Sequence, residues 1–218
     1  MAFRLSKQPF IGDLDIDGSL NAVKSRDLFK RLAGSNLENA LKESGVTNPD
    51  IALDNARDRV KEAKKTLDIA ALGLSDDEAG AISCYTLQCA EGIKSPYEVI
   101  NQGLAGSRNR ATIYPTRKLI YLLLSGLRKL PRFRPSEEPK MFYRGIRIKV
   151  PTTKEEANGH QFYVKDKTVT WWGFTSTTTD LGVTQDFIDG AAASTLFNIG
   201  GEDLWGYSIK AFSPFPSE

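Results

Sequence analysis

Pro131, Pro135 and Pro139 stand within ten residues of one another and divide the chain into two parts with different hydrophobic periods. Before them the pattern is helical. Asn55 to Ala71 is rich in Ala, Lys, Arg, Glu and Leu, all good helix formers. Ser75-Asp76-Asp77-Glu78 is a capping-box pattern, which predicts a helix start there and continuation through Ile82, Tyr85 and Thr86. Ser95-Pro96 opens another helix with proline at its first position. From Thr116 to Leu130, the residues Leu119, Ile120, Leu123, Leu127 and Leu130 recur at helical spacing and mark one buried face, and Pro131 ends that helix.

After the prolines the period changes. Met141-Phe142-Tyr143, Gln161 to Val164, Val169 to Phe174, Ser194 to Ile199 and Trp205 to Phe212 are short runs of aromatic and β-branched residues. Gly, Asn and Asp punctuate them, as strands and turns require. Helices followed by strands predict an α+β domain and not an alternating βαβ fold. No G-x-G-x-x-G follows any of these runs, so a Rossmann dehydrogenase is disfavoured.

Bulk properties remove further classes. A length of 218 residues suffices for one large domain with a sizeable core. A formal net charge of +2, with no basic aromatic stripe, gives no footing for nucleic acid or a membrane surface. The longest apolar stretch, Leu119 to Leu124, is too short to span a bilayer, and the first residues lack the charged-then-apolar form of a signal peptide. Cys84 and Cys89 lie five residues apart in a predicted helix, where their side chains diverge, so no mutual disulfide is expected. The expectation is a cytoplasmic protein, with secretion as an effector left open. One histidine, His160 in a turn-like Asn158-Gly159-His160, and two helical cysteines supply no metal-ligand set, so no metal is expected.

Three motifs in the second part carry chemistry. In Tyr143-Arg144-Gly145 an arginine interrupts an apolar strand. Its planar fork matches phosphate oxygens, and the following glycine admits close approach to the backbone. Trp172 to Asp180 alternates hydroxyls with apolar residues, and in a strand Ser176 and Thr178 would face the same way. Trp205 to Glu218 reads as a strand that runs into a proline-rich turn ending on a carboxylate. Alone, these are also an arginine at a strand end, a Thr-rich exposed strand closed by an Asp turn, and a surface loop.

In this order the three resemble the arginine, Ser-Thr-Ser and glutamate elements of mono-ADP-ribosyltransferases. The branch resembled is the arginine–serine–glutamate one, with the cholera-toxin-like toxins and the eukaryotic NAD:arginine enzymes. Tyr143-Arg144-Gly145 is similar to the arginine strand. Phe174-Thr175-Ser176-Thr177-Thr178 is similar to F-x-S-T-S with threonine in the last position. Phe212-Ser213, Phe215-Pro216 and Glu218 are similar to the turn leading into E-x-E. Ala81-Ile82 with Tyr85-Thr86, and the leucine-rich helix, resemble the family's helical part.

The resemblance covers roughly residues 75 to 218. It leaves 1–70 as a helical N-terminal extension, read as a packing element, ahead of a transferase domain over 71–218, helical to 135 and stranded from 140. It implies two β-sheets with NAD folded in a cleft between them and helices alongside. NAD would be a substrate, with nicotinamide released and ADP-ribose passed to a protein side chain, arginine above all. NADP shares the nucleotide class. Arg144 would hold the phosphate side of NAD, the backbone of Gly145 the nicotinamide carboxamide, and Ser176 the nicotinamide ribose and the catalytic carboxylate. Thr178 would be a supporting hydroxyl.

Glu218 matches the first glutamate of E-x-E, associated with activating the acceptor, and the given sequence ends before the second. That leaves a truncated polypeptide or an inactive variant as readings. A second alignment makes Glu218 itself the catalytic glutamate, with Pro216 in the specificity position. NAD glycohydrolysis on the same fold, and a catalytically inactive module that binds NAD or a protein, are the alternatives that follow.

Overall fold

In the computed structural model, residues 32–87, 93–105, 113–135, 141–157, 163–169, 171, 173–201 and 204–214 are described. The capping signals set the helices. Asn36 accepts from the Asn39 N–H at 2.8 Å and opens α1, Leu37–Ser44, which Gly45 closes in the left-handed region. α2 runs over Pro49–Ala63, with proline in its first turn. The helix expected over Asn55 to Ala71 is thus displaced toward the N-terminus. Beyond Ala63, bonds such as Lys65 N–H to Glu62 and Thr66 N–H to Ala63 unwind the chain into turns, and Ile69 and Leu74 are buried.

The predicted box at Ser75 is present in full at the start of α3, Asp76–Tyr85. A second one, Ser95 with Glu98, caps α4, Pro96–Ala105: the Ser95 N–H donates to Glu98 at 2.8 Å and the Glu98 N–H to Ser95 at 3.1 Å. A 3-10 turn, Tyr114–Thr116, leads into α5, Arg117–Lys129, whose buried face includes Leu119, Ile120, Leu123 and Leu124.

Two short antiparallel sheets follow. β1, Arg132–Phe133, pairs with β4, Gly206–Tyr207. β2, Met141–Ile146, pairs along its length with β3, Thr195–Gly200, placing Arg144 opposite Phe197 and Gly145 opposite Leu196. The short helix α6, Lys154–Ala157, and α7, Leu181–Ile188, lie between β2 and β3 in the chain. The mixture of helices and small sheets agrees with the α+β class.

The strand half departs from expectation in four places. Among the described residues, Tyr163-Val164 and the stretch from Val169 to Phe174 form no strand. Ser176 is likewise outside any strand, and Thr178 makes one isolated bridge, to Tyr143. Trp205 to Phe212 is strand only at Gly206–Tyr207, after which the chain turns inward and the Phe212 N–H bonds the Ile209 carbonyl at 2.9 Å. Finally, Asp180, read as a turn residue, caps α7 by accepting from the Gly182 N–H at 2.8 Å.

Two cores result. The larger joins α1 to α5 and includes Leu41, Ile82, Ile100, Leu119, Leu123 and, from the far end of the chain, Phe212. The expected extension over 1–70 therefore contributes its described part, from Leu32 on, to the same core as the helices after it. The smaller core lies on the β2–β3 sheet: Phe142, Phe197, Ile199 and Leu204, with Tyr163 and Trp171 packed against it. Among the described residues no helix is long and apolar enough to cross a membrane.

One charge is built into the helical core. Glu78, 6% exposed, accepts from Lys129 at 2.6 Å and from the Ser125 hydroxyl while completing the cap with the Ser75 N–H. Burial raises its pKa, but these donors outweigh burial and hold it below the ordinary 4.5. A carboxyl with a depressed folded pKa stabilises the fold above its unfolded pKa, and that contribution is lost as the pH falls through the folded value. Glu78→Gln is therefore expected to cost on the order of 1 kcal/mol at neutral pH, Lys129 being partly solvated. Urea titrations of both proteins should show the difference shrinking below about pH 4.5. Phe212, fully buried, tests the other end of the core: Phe212→Ala should cost about 3–5 kcal/mol in the same titration.

Candidate active site

Helix α4 sends Tyr97 and Asn101, one turn apart and so on one face, toward the stretch from Gly173 to Thr178. The Asn101 Oδ1 accepts the Phe174 N–H at 2.9 Å, and its Nδ2 donates to the Tyr85 hydroxyl at 3.3 Å. A β-carbon at Gly173 would sit 2.5 Å from the Asn101 Oδ1, so glycine there is what lets the amide reach the backbone. Tyr85, from the last turn of α3, packs at a tilt against Tyr97, 5.2 Å between ring centroids, and edge-on against Phe174 at 5.5 Å. Burial pushes its phenol upward, an effect only partly offset by the Asn101 bond, so it stays protonated near neutral pH.

Arg144 reaches the same place from β2. Its Nη1 donates to the Ser176 carbonyl at 3.0 Å, and its Nη2 lies 3.5 Å from the Tyr97 hydroxyl. The guanidinium centre is 5.9 Å from the Trp171 ring, which packs on the sheet core and donates its indole N–H to Tyr163 at 2.8 Å. Arg144 thus bridges a wall that belongs to the helical core and one that belongs to the sheet core. Two of the five guanidinium N–H donors are directed to protein oxygens by these contacts.

The neighbours of Arg144 fix the strand edge. The Tyr143 N–H donates to the Thr178 carbonyl at 2.7 Å and the Thr178 N–H returns the bond at 2.9 Å. Residues along an antiparallel strand present their backbone groups alternately to the two edges, so Gly145 turns its N–H and C=O to the same edge as Tyr143. The bridge does not extend to it. On the face of the sheet, a β-carbon at Gly145 would lie 2.5 Å from the Ile188 Cγ2 and 3.0 Å from the Thr184 Cγ2. Glycine at 145 is therefore set by the packing of α7 on β2. Thr178, 8% exposed, accepts the Asp180 N–H on its hydroxyl at 3.0 Å, which closes the turn into α7.

The structure brings together Arg144, Gly145, Ser176 and Thr178. Glu218 lies outside the described residues, with Phe215 and Pro216 of its turn, and so do Trp172, Cys89 and His160. Tyr97, Asn101 and Trp171 were not visible as site residues in the sequence. For the first two, the available signal was the spacing of polar groups on one face of a capped helix. Cys84 is buried and its thiol is pushed up to about 12, which leaves it inert. Among the described residues no group of three or more His, Cys, Asp or Glu is placed to hold a metal ion.

What the arrangement offers is a guanidinium, a serine hydroxyl and a strand edge beside aromatic walls, which suits an anionic ligand carrying flat rings and sugar hydroxyls. No curated protein and no solved structure matches the chain. A sequence model of NAD:arginine ADP-ribosyltransferases matches residues 34–218, most of its length. The chain belongs to the NAD:arginine ADP-ribosyltransferase family.

Proposed function

We propose that this protein transfers ADP-ribose from NAD to an arginine side chain of a protein acceptor and releases nicotinamide, as a member of the arginine–serine–glutamate branch. The observation that carries the reading is the bond from Arg144 to the Ser176 carbonyl, which joins two motifs 32 residues apart at one place. In this reaction the bond between the nicotinamide nitrogen and the ribose C1′ breaks, and its electron pair leaves with nicotinamide. The positive charge left on the sugar is shared with the ring oxygen, as in a glycosidase transition state. The acceptor nitrogen then bonds C1′ and gives up a proton to a carboxylate.

Arg144 holds the phosphates, and its fixed attachment to the Ser176 carbonyl keeps the fork from following a mobile ligand. The outward N–H and C=O of Gly145 receive the nicotinamide carboxamide. Ser176 positions the nicotinamide ribose and the carboxylate. Thr178 supports this by ending the segment in a closed turn. A carboxylate near the ribose 2′-hydroxyl stabilises the sugar cation more in the transition state than in the ground state, which is the origin of the acceleration. Glu218 supplies a carboxylate for the acceptor arginine; if it instead serves the ribose, bond cleavage itself depends on it.

Three outcomes test this reading. Arg144→Lys keeps the charge and loses the fork, so calorimetric titration should show NAD binding weakened roughly tenfold or more in a folded protein. Unchanged affinity would leave Arg144 a purely structural residue. Ser176→Ala should lower NAD turnover by about tenfold, the worth of a hydrogen bond of some 1.4 kcal/mol. The same change at the exposed Ser208, outside the site, should leave turnover unaltered. For Glu218→Gln, NAD cleavage is followed with and without an arginine-bearing acceptor. Loss of transfer with cleavage retained places Glu218 at the acceptor, and a loss of both by on the order of a hundredfold places it at the ribose. No effect on either removes it from the mechanism.

A further inference from the structure

The side chain of Arg144 starts from an apolar surface. Side chains along a strand alternate between its faces, so Phe142, Arg144 and Ile146 of β2 project to one face, and the register puts Phe197 of β3 directly across from Arg144. Phe142 and Phe197 belong to the buried core of that sheet, and Ile146 packs against it. The guanidinium bonds through its two terminal nitrogens, Nη1 to the Ser176 carbonyl and Nη2 to the Tyr97 hydroxyl. Contacts at two points leave a planar group free to tilt about the line that joins them. Trp171 supplies a third contact: its ring centroid lies 5.9 Å from the guanidinium carbon, within the range at which an aromatic face attracts a cation.

Trp171 is itself held twice. Its indole N–H, which can only donate, is taken by the Tyr163 hydroxyl at 2.8 Å, and its ring meets that of Phe197 at 5.1 Å and 77°. Tyr163 packs on the same Phe197 at 5.3 Å, and its backbone N–H bonds the Pro151 carbonyl at 2.9 Å. The cross-strand partner of Arg144 is thus the base on which both rings stand.

We propose that Trp171, locked by Tyr163, is a positioning residue that fixes the tilt of the Arg144 guanidinium and so aims its fork at the phosphates of NAD. The inference rests on the functional reading above, in which Arg144 holds those phosphates. Trp171 acts through Arg144 and not by touching the ligand, and this separates it from a wall of the binding cleft and from a residue that only fills the sheet core.

The test uses that distinction. Calorimetric titration gives the NAD dissociation constant, and thermal melting the stability, for Trp171→Leu and Tyr163→Phe, each in the unaltered chain and in an Arg144→Lys background. Trp171→Leu removes the aromatic face. Tyr163→Phe keeps both rings and removes only the hydroxyl that takes the indole N–H, so it carries the comparison even where Trp171→Leu fails to fold. Lysine at 144 retains a cation but has no plane to orient.

The expected result is a rise in the dissociation constant of about fivefold for Trp171→Leu and about threefold for Tyr163→Phe, the latter with an unchanged melting temperature. In the Arg144→Lys background neither change should weaken binding further, because the group they orient is gone. Unchanged NAD affinity in both variants would overturn the proposal. Equal losses in the two backgrounds would overturn it as well, since a direct contact with NAD or general damage to the core acts whatever stands at 144. If the unaltered protein does not bind NAD, the functional reading fails and this inference with it. If it binds, and Arg144→Lys weakens binding while the two backgrounds respond alike, this inference alone falls.

Discussion

The stretch from Gly173 to Thr177 carries the site without a ladder of strand hydrogen bonds to hold it. Backbone groups that are removed from water must be paired, and where no strand supplies the partners, side chains must. Here they come from opposite sides. Asn101 of the helical half takes the Phe174 N–H, and Arg144 of the strand half takes the Ser176 carbonyl. The bridge between Tyr143 and Thr178 closes the end of the segment. The location of Ser176 therefore depends on how the two cores meet. Phe174 packs on one and Trp171, three residues earlier, on the other. A substitution that shifts either core displaces the serine, even when it lies far from the site.

Much of the helical half was legible because its signals are local. A serine three residues before a glutamate satisfies its helix end through its own side chain, at Ser75 as at Ser95, and needs nothing from elsewhere in the chain. The leucine stripe of α5 likewise declares its buried face by spacing alone. The strand half was less legible because its contacts are long-range. Trp205 to Phe212 has the composition of a strand, yet the pull of the helical core on Phe212 turns the chain inward after two paired residues. The Thr-rich run has β-propensity and an accepting amide beside it, and the amide prevails. Propensity describes what a segment does against a generic pleated surface, and here the surface it meets is a helix carrying Asn101.

The site follows the same division. Arg144, Gly145, Ser176 and Thr178 were identifiable because their residue types fall in order along the chain, and the structure draws them together. The reason for Gly145 differs from the one the sequence suggests: the space above it belongs to Ile188 and Thr184, and the strand edge is the feature that the proposed function uses. Tyr97, Asn101 and Trp171 could not be read from order, since each gains its significance from a partner more than twenty-five residues away: Arg144 for Tyr97, Phe174 for Asn101, and Arg144 again for Trp171 only through its position in the sheet core.

The end of α3 ties these parts to one another. Tyr85, whose hydroxyl accepts from Asn101, is followed at once by Thr86. The Thr86 hydroxyl donates to the Ser83 carbonyl at 2.8 Å and lies 3.3 Å from the carbonyl of Phe212. Phe212 is in turn the largest fully buried side chain of the helical core and the last such anchor before the segment that leads to Glu218. Two consecutive residues thus tie the Asn101 contact of the Phe174 backbone and the Phe212 anchor of the helical core to one helix end. The transition state of an ADP-ribosyl transfer requires an anion-holding group, a hydroxyl and a carboxylate at fixed separations, to within fractions of an ångström. In the transfer proposed above, the end of α3 serves that demand by helping to fix the segment that carries Ser176, and β2 serves it by carrying Arg144.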